Sequence, residues 1–163
     1  MPGLEDLYRE IILDHYRNPR NRGELPAPPA VRSEGFNPLC GDEVQVFLDV
    51  HDGVVDDIRI SGQGCSISQS SASMMSQAVK GRSLPEARAL LHAFKSMMSI
   101  EDGHDRDDTD EAEPGVKMGD LEALQGVVKY PVRIKCATLA WNTLAQGLDE
   151  AEIAVGDGVA RVV

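Results

Sequence analysis

Four residues of the sequence have side chains that could bind a metal ion or take part in sulfur chemistry. They are the three cysteines and an aspartate two positions after the first: Cys40, Asp42, Cys65 and Cys136. Thiolate is both the nucleophilic and the metal-binding form of cysteine. Together the four could enclose Zn²⁺, which accepts sulfur and oxygen ligands in a tetrahedral arrangement. The chain contains no Cys-x-x-Cys pair, so three unrelated structural cysteines are the alternative.

Cys65 stands where a predicted strand meets a predicted helix. Gly62 and Gly64 allow a tight turn and leave space beside the thiol. Ser66 and Ser68 are candidate caps of the following helix. The positive end of that helix would favour the thiolate. The pattern therefore indicates either a reactive or metal-binding sulfur or a small cysteine buried under the helix.

The other two thiols lie in segments that the sequence also places near turns. Cys40 and Asp42 flank a glycine that lets both side chains reach one centre. Cys136 is predicted to begin the last helix, over residues 136–148, after a connector. The remaining tail, 151–163, is predicted to be a short hairpin around Gly156 or disordered.

Alternating apolar residues predict the strands that position the first two thiols. One strand covers Val44–Val50, and Asp52-Gly53 is a hairpin signal that leads into a returning strand, Val54–Ser61. Antiparallel pairing would bring the Cys40 and Cys65 turns to one end of the sheet. Further predicted elements are helices over 4–17, 66–80, about 84–94 and about 121–127, and a strand over 31–36.

Composition limits the function classes. At 163 residues the chain suits a single domain with its own core. A net charge of −11 disfavours nucleic acid and anionic membranes as partners. No apolar run is long enough to span a membrane, and the N-terminus shows no signal peptide. Three widely spaced cysteines argue against a disulfide framework and for a reduced, cytoplasmic protein.

Two further features receive structural interpretations. Residues 101–113 contain eight carboxylates and one arginine, which predicts a solvated, mobile loop. A calcium loop is the alternative, but the spacing does not follow the EF-hand pattern. His15 lies near the end of the first predicted helix and is expected to be a surface or capping histidine.

The cysteine motifs also resemble those of a known family. Asn-Pro-x-Cys-Gly-Asp from Asn37, Gly-x-Gly-Cys-x-Ile-Ser from Gly62 and Pro-Val-Arg-x-Lys-Cys from Pro131 resemble the SufU branch of the IscU-like iron–sulfur assembly family. The resemblance covers about residues 4–149. The IscU-type scaffold branch has histidine directly before its last cysteine, where this chain has Lys135. The acidic insertion also looks like the SufU branch.

The resemblance implies an α+β fold, with helices packed on a three-stranded antiparallel sheet. One domain would span 1–163, with the mobile acidic insertion at about 99–117. The implied function is that of a zinc-dependent sulfurtransferase, which accepts persulfide sulfur from a PLP-containing cysteine desulfurase of the SUF type. SUF scaffold proteins would be the recipients. An iron–sulfur cluster scaffold that uses the same ligands is the alternative, as is a zinc-stabilised adaptor without transfer chemistry.

The resemblance also assigns roles to individual residues. Cys40 would be the sulfur acceptor, and Asp42, Cys65 and Cys136 would hold zinc together with it. Arg133 would help to position or neutralise the site, or it would form a structural salt bridge.

Overall fold

The computed structural model describes residues 2–27, 29–98 and 119–156. In chain order the elements are α1 (Pro2–Arg17), β1 (Val31–Asn37), β2 (Asp42–His51), β3 (Val54–Gln63), α2 (Ser66–Val79), α3 (Leu84–Met98), a 3-10 helix (Gly119–Lys129) and α4 (Pro131–Gly156). The three strands form one antiparallel sheet in the order β1-β2-β3, which confirms the predicted α+β class. The predicted acidic insertion at 99–117 lies outside the described residues. Within the described ranges, no helix is long and apolar enough to cross a membrane.

The β2–β3 hairpin sets the position of two thiols. Its turn, Asp52-Gly53, has positive φ at both residues, as a two-residue hairpin turn requires. Glu43 at the start of β2 pairs with Gln63 at the end of β3. The turn that carries Cys40 and the turn that carries Cys65 therefore lie at one end of the sheet, as predicted.

The core lies between the inner face of the sheet and helices α2 and α4. Its centre is Trp141 of α4, whose ring stacks on Phe94 with centroids 4.5 Å apart. The indole N–H donates to Ser71 Oγ at 3.1 Å, and that hydroxyl donates to the Ala137 carbonyl at 2.6 Å. Small serines on α2 let the two helices approach closely while their hydroxyls remain hydrogen-bonded. Burial of each large ring contributes roughly 1.5–3 kcal/mol. The apolar residues that the sheet adds to this core are Val44, Val46, Leu48, Val55, Ile58 and Ile60.

The last helix differs from the sequence prediction at both ends. It begins at Pro131 rather than at Cys136, and the prediction of a connector before Cys136 was wrong. Proline suits the first position of a helix because its missing N–H has no partner there and its φ is already helical. The helix continues to Gly156, so the hairpin predicted around this residue was wrong as well. The rest of the tail, 157–163, lies outside the described residues.

His15 is buried, and the prediction of a surface or capping histidine was wrong. Its Nδ1 lies 2.8 Å from Ser73 Oγ on α2, and its Nε2 lies 2.9 Å from Asp120 Oδ2 in the 3-10 helix. His15 follows Tyr8 and Ile12 at helical spacing, so it continues the inner face of α1. The His15 ring therefore links α1 to both α2 and the 3-10 helix through hydrogen bonds.

Candidate metal and sulfur site

The turn between β1 and β2 brings the first thiol and the carboxylate together. Gly41 has φ of +67°, a conformation that favours glycine, and it turns the chain between Cys40 and Asp42. Asp42 is the first residue of β2 and is fully buried, whereas Cys40 is half-buried. The structure thus directs one donor into the protein and leaves the other accessible on the turn.

Hydrogen bonds hold the Asp42 carboxylate in place. Its Oδ1 accepts the backbone N–H of Cys65 at 2.9 Å, and its Oδ2 accepts Nδ2 of Asn37 at 3.3 Å. Burial opposes ionisation of this carboxyl, but the hydrogen bonds from Cys65 and neighbouring side chains outweigh it and lower the pKa of Asp42. The group is therefore an ionised, oriented oxygen donor.

Cys65 is the residue that precedes α2, and it faces the same carboxylate. Its Sγ lies 4.0 Å from Asp42 Oδ2. The prediction of serine caps was wrong: Ser66 is the first residue of α2, and the Ser68 hydroxyl donates to the Cys65 carbonyl at 3.1 Å. A side chain at Gly64 would overlap the Asp42 carboxylate and the Ser68 hydroxyl, so this glycine makes room for the site.

Cys136 reaches the site from the interior of α4 rather than from its start. It is fully buried, and its Sγ lies 3.3 Å from Cys40 Sγ, without a disulfide bond. Asn37 Nδ2 lies 3.7 Å from the same sulfur. Burial, followed by hydrogen bonds to the neighbouring thiols and to the Asp42 carboxylate, raises the pKa of Cys136 well above that of a free thiol.

The donor atoms converge closely enough to share one ion. The ligand atoms of Cys40, Asp42 and Cys136 all lie within 4.8 Å of one another, and Cys65 adjoins them through Asp42. Ionised thiols and a carboxylate this close together would repel one another unless a positive charge lay between them. A divalent cation would supply that charge, and sulfur with carboxylate oxygen is a donor set that suits zinc.

A second group of potential metal ligands lies at the other end of the β2–β3 hairpin. It consists of Asp49, His51 and Asp56. The His51 and Asp56 side chains are exposed, and His51 Nε2 already lies 2.9 Å from Asp49 Oδ1. Exposed groups of this kind are ordinary surface ion pairs, so the thiol cluster is the better candidate.

Arg133 interacts with the thiols from the first turn of α4. It is exposed and stands three residues before Cys136, on the same face of α4. Hydrogen bonding to Cys136, with the nearby sulfurs of Cys65 and Cys40, raises the pKa of this guanidinium. Arg133 is thus the positive group that faces the cluster.

The sequence reasoning missed two parts of the site. Asn37 belongs to the first cysteine motif but was not predicted to have a role, although its side-chain amide contacts both Asp42 and Cys136. The sequence reasoning also missed the apolar rim, a set of large side chains exposed near the thiols. The rim consists of Phe36, Leu39, Tyr130 and Val132, each more than half exposed. The exposure of these apolar side chains depends on tertiary packing and could not be read from periodicity.

Comparisons with known proteins place this arrangement in a family. Residues 7–137 match the NifU-like N-terminal domain. The zinc-dependent sulfurtransferase SufU of Bacillus subtilis is 44% identical over 149 residues, which cover 91% of this chain and 94% of SufU. The iron–sulfur cluster assembly scaffold protein IscU of Streptococcus pyogenes is 38% identical over 146 residues, which cover 89% of this chain and 84% of IscU.

A solved structure agrees with the sequence matches. The N-terminal part of a nitrogen-fixing NifU-like protein from Brucella abortus superposes with a TM-score of 0.72 at 29% identity. The superposition covers 90% of this chain and 97% of that structure. With most of its length matched in both comparisons, the chain belongs to the family of NifU-like N-terminal domains.

Proposed function

We propose that this protein is a zinc-dependent sulfurtransferase for iron–sulfur cluster assembly. It accepts sulfur from the persulfide of a SUF-type cysteine desulfurase and passes it to SUF scaffold proteins in the cytoplasm. The observation that carries the proposal is the convergence of three free cysteines and one buried carboxylate at one end of the sheet. The 44% identity to SufU supports the same function.

Cys40, Asp42, Cys65 and Cys136 would hold the zinc ion. Once bound, zinc would keep the thiols deprotonated near neutral pH, where a free thiol is mostly protonated. Asn37 donates to Asp42 and lies within reach of Cys136, so it orients two of the four donors. Such supporting contacts commonly change metal affinity when they are removed.

Cys40 is the proposed acceptor of sulfur. Its thiolate attacks the terminal sulfur of the partner's cysteine persulfide. A new S–S bond forms to Cys40 while the S–S bond of the donor breaks, and the partner's cysteine leaves as a thiolate. Cys40 suits this role because it sits on a half-buried turn, whereas Cys136 is fully buried within α4.

Arg133 is proposed to stabilise the negative charge of the site. Its guanidinium faces the sulfurs from the solvent side, where a persulfide would approach Cys40. Arginine stays protonated at any pH that the protein would experience, so it supplies a constant positive charge.

Trapping the sulfur on one cysteine tests the proposal. The purified protein should contain about one zinc per chain and should raise alanine and sulfide production by the desulfurase. After turnover, mass spectrometry should find the extra sulfur on Cys40. Alkylation of Cys40 should be slow in the isolated zinc form and faster when a catalytically inactive desulfurase is added. Persulfide chiefly on Cys65 or Cys136 would contradict the assignment of Cys40 as acceptor.

A cluster scaffold is the second candidate, because IscU proteins also match most of the chain. The same four side chains would then hold an iron–sulfur cluster. Anaerobic reconstitution separates the two functions. A stable visible absorption band, followed by cluster transfer to an apo-protein, would favour the scaffold. Zinc that persists through this treatment, with no transferable cluster, would favour sulfur transfer.

A further inference from the structure

An open groove of about 560 Å³ adjoins the thiol site. It runs between α1, the first turn of α2, the 3-10 helix and the first turn of α4. Ser66, directly after Cys65, lines the groove, and Arg133 belongs both to the groove and to the thiol site. The groove therefore borders the thiol site through Arg133 and the start of α2.

The floor of the groove is apolar. Ile12 and Leu13 of α1 face Ile67 of α2 and Val127 of the 3-10 helix across it. Tyr130, which also lines the groove, is 63% exposed and is part of the apolar rim around the thiols. Exposed apolar surface that continues from a groove to a reactive site is typical of a protein interaction surface.

The charged groups of the groove all have one sign. Arg9, Lys129 and Arg133 line it, and no carboxylate does among the described residues. This is unexpected in a chain with 27 acidic and 16 basic side chains. Among the side chains that the structure describes, from Tyr8 onward, no carboxylate pairs with Arg9 or Lys129, whereas Arg20 and Arg88 are paired with carboxylates. Among the residues whose side chains the structure describes, the groove therefore presents positive charge without a carboxylate beside it.

We propose that this groove docks an acidic, amphipathic helical segment of the cysteine desulfurase. The inference rests on the proposed function, because that function makes the desulfurase the partner that must approach Cys40. Apolar side chains of the segment would occupy the floor, and its carboxylates would pair with Arg9 and Lys129. An amphipathic helix in an apolar groove is a common mode of recognition, and the charge pattern selects an acidic one.

Charge reversal tests the docking surface. The double variant R9E/K129E changes the groove, and R17E/K95E is its control. The control makes the same change in net charge at exposed residues that do not line the groove. Binding of the labelled zinc protein to the desulfurase is measured by fluorescence anisotropy. We expect R9E/K129E to raise Kd at least about tenfold and R17E/K95E to leave it nearly unchanged.

A competing peptide tests the chemistry of the occupant. A short amphipathic helix built from leucine and glutamate should displace the desulfurase, and its leucine–lysine counterpart should not. Zinc content and thermal unfolding should be the same for both double variants, so that misfolding does not imitate lost docking. Failure of the acidic peptide to compete, or equal Kd values for the two variants, would overturn the proposal.

The same measurements separate this inference from the function on which it rests. Wild-type protein that binds the desulfurase without raising its turnover would refute sulfur transfer, and the ratio of Kd values would still decide the docking. Turnover that rises equally with both double variants would refute the docking and leave sulfur transfer intact. Self-association of the wild type that R9E/K129E abolishes, with desulfurase binding unchanged, would assign the groove to a second copy and overturn the proposal.

Discussion

Replacement of Asp42 by asparagine tests the site with little change in shape. Asparagine keeps a carbonyl oxygen that can accept the Cys65 N–H, which now lies 2.9 Å from Oδ1. It loses the negative charge, and its amide nitrogen would meet the donor amide of Asn37, now 3.3 Å from Oδ2. The substitution therefore removes one donor for the cation while most of the packing stays.

The expected effects follow from these contacts. In the zinc-free protein, a hydrogen bond to a charged group contributes roughly 1.5–3 kcal/mol and a neutral one roughly 0.5–1.5 kcal/mol. D42N should thus lower the free energy of unfolding by about 1–2 kcal/mol. Loss of a residue that only supports a metal ligand costs roughly 10–100-fold in affinity, so loss of Asp42 as a ligand should exceed about 100-fold.

Zinc affinity is measured by competition with a chromophoric chelator, and unfolding by denaturant titration. D49N is the matched control, because Asp49 lies on the same strand in the exposed Asp49–His51–Asp56 group. We expect D49N to bind zinc as the wild type does. If D42N kept its affinity within tenfold of wild type while D49N lost zinc, the metal site would have been assigned to the wrong end of β2.

Three further predictions test the surroundings of the site. G64A should lower zinc affinity at least about tenfold, as loss of a supporting contact commonly does, because a Cβ at this position overlaps Asp42 and Ser68. G126A is the control, since a Cβ there meets nothing within 4 Å, and its zinc affinity should not change. Equal zinc affinities of the two variants in chelator titrations would refute the steric argument. After deletion of residues 101–113, metal analysis should still find zinc bound to the protein. Loss of the zinc would show that this segment supplies a ligand. The lowered pKa of Asp42 means that this carboxylate stabilises the zinc-free fold above its ordinary pKa of 3.8. That contribution should be lost as pH falls from 3.8 through the lower folded value. Denaturant titrations of zinc-free wild type and D42N should therefore converge in acid, and a constant difference would contradict this.

Local rules predicted the hairpin and the elements around it well. Asp52-Gly53 specifies a two-residue turn with positive φ, and alternating apolar residues on either side set the strands, although the pairing register shifts between Asp49 and Val50. A second local feature is a capping box at the start of α3, where the side chains of Ser83 and Glu86 each accept the other residue's backbone N–H. These features depend on residues close together in sequence, so the sequence alone determines them.

Features that depend on distant partners were harder to predict. From its position near the end of α1, His15 was expected at the surface. Its hydrogen-bond partners are Ser73 of α2 and Asp120 of the 3-10 helix, which lie 58 and 105 positions away in the chain. Burial of its ring is possible because both nitrogens have partners. No local pattern specifies that pairing.

The placement of Cys136 shows how residues that converge in the fold can be grouped by a wrong local argument. The sequence grouped Cys136 with Cys65 because both seemed to begin a helix, but Pro131 begins α4 one turn earlier. Its sulfur reaches the site because α4 packs across β1 and β2, which places it 3.3 Å from Cys40. Helix α4 fixes Cys136, and the N-terminus of α2 fixes Cys65. Cys40 sits half-buried on a short turn between two strands rather than on a helix. If the protein accepts sulfur as proposed, we therefore expect movement toward a partner's persulfide to cost least at Cys40.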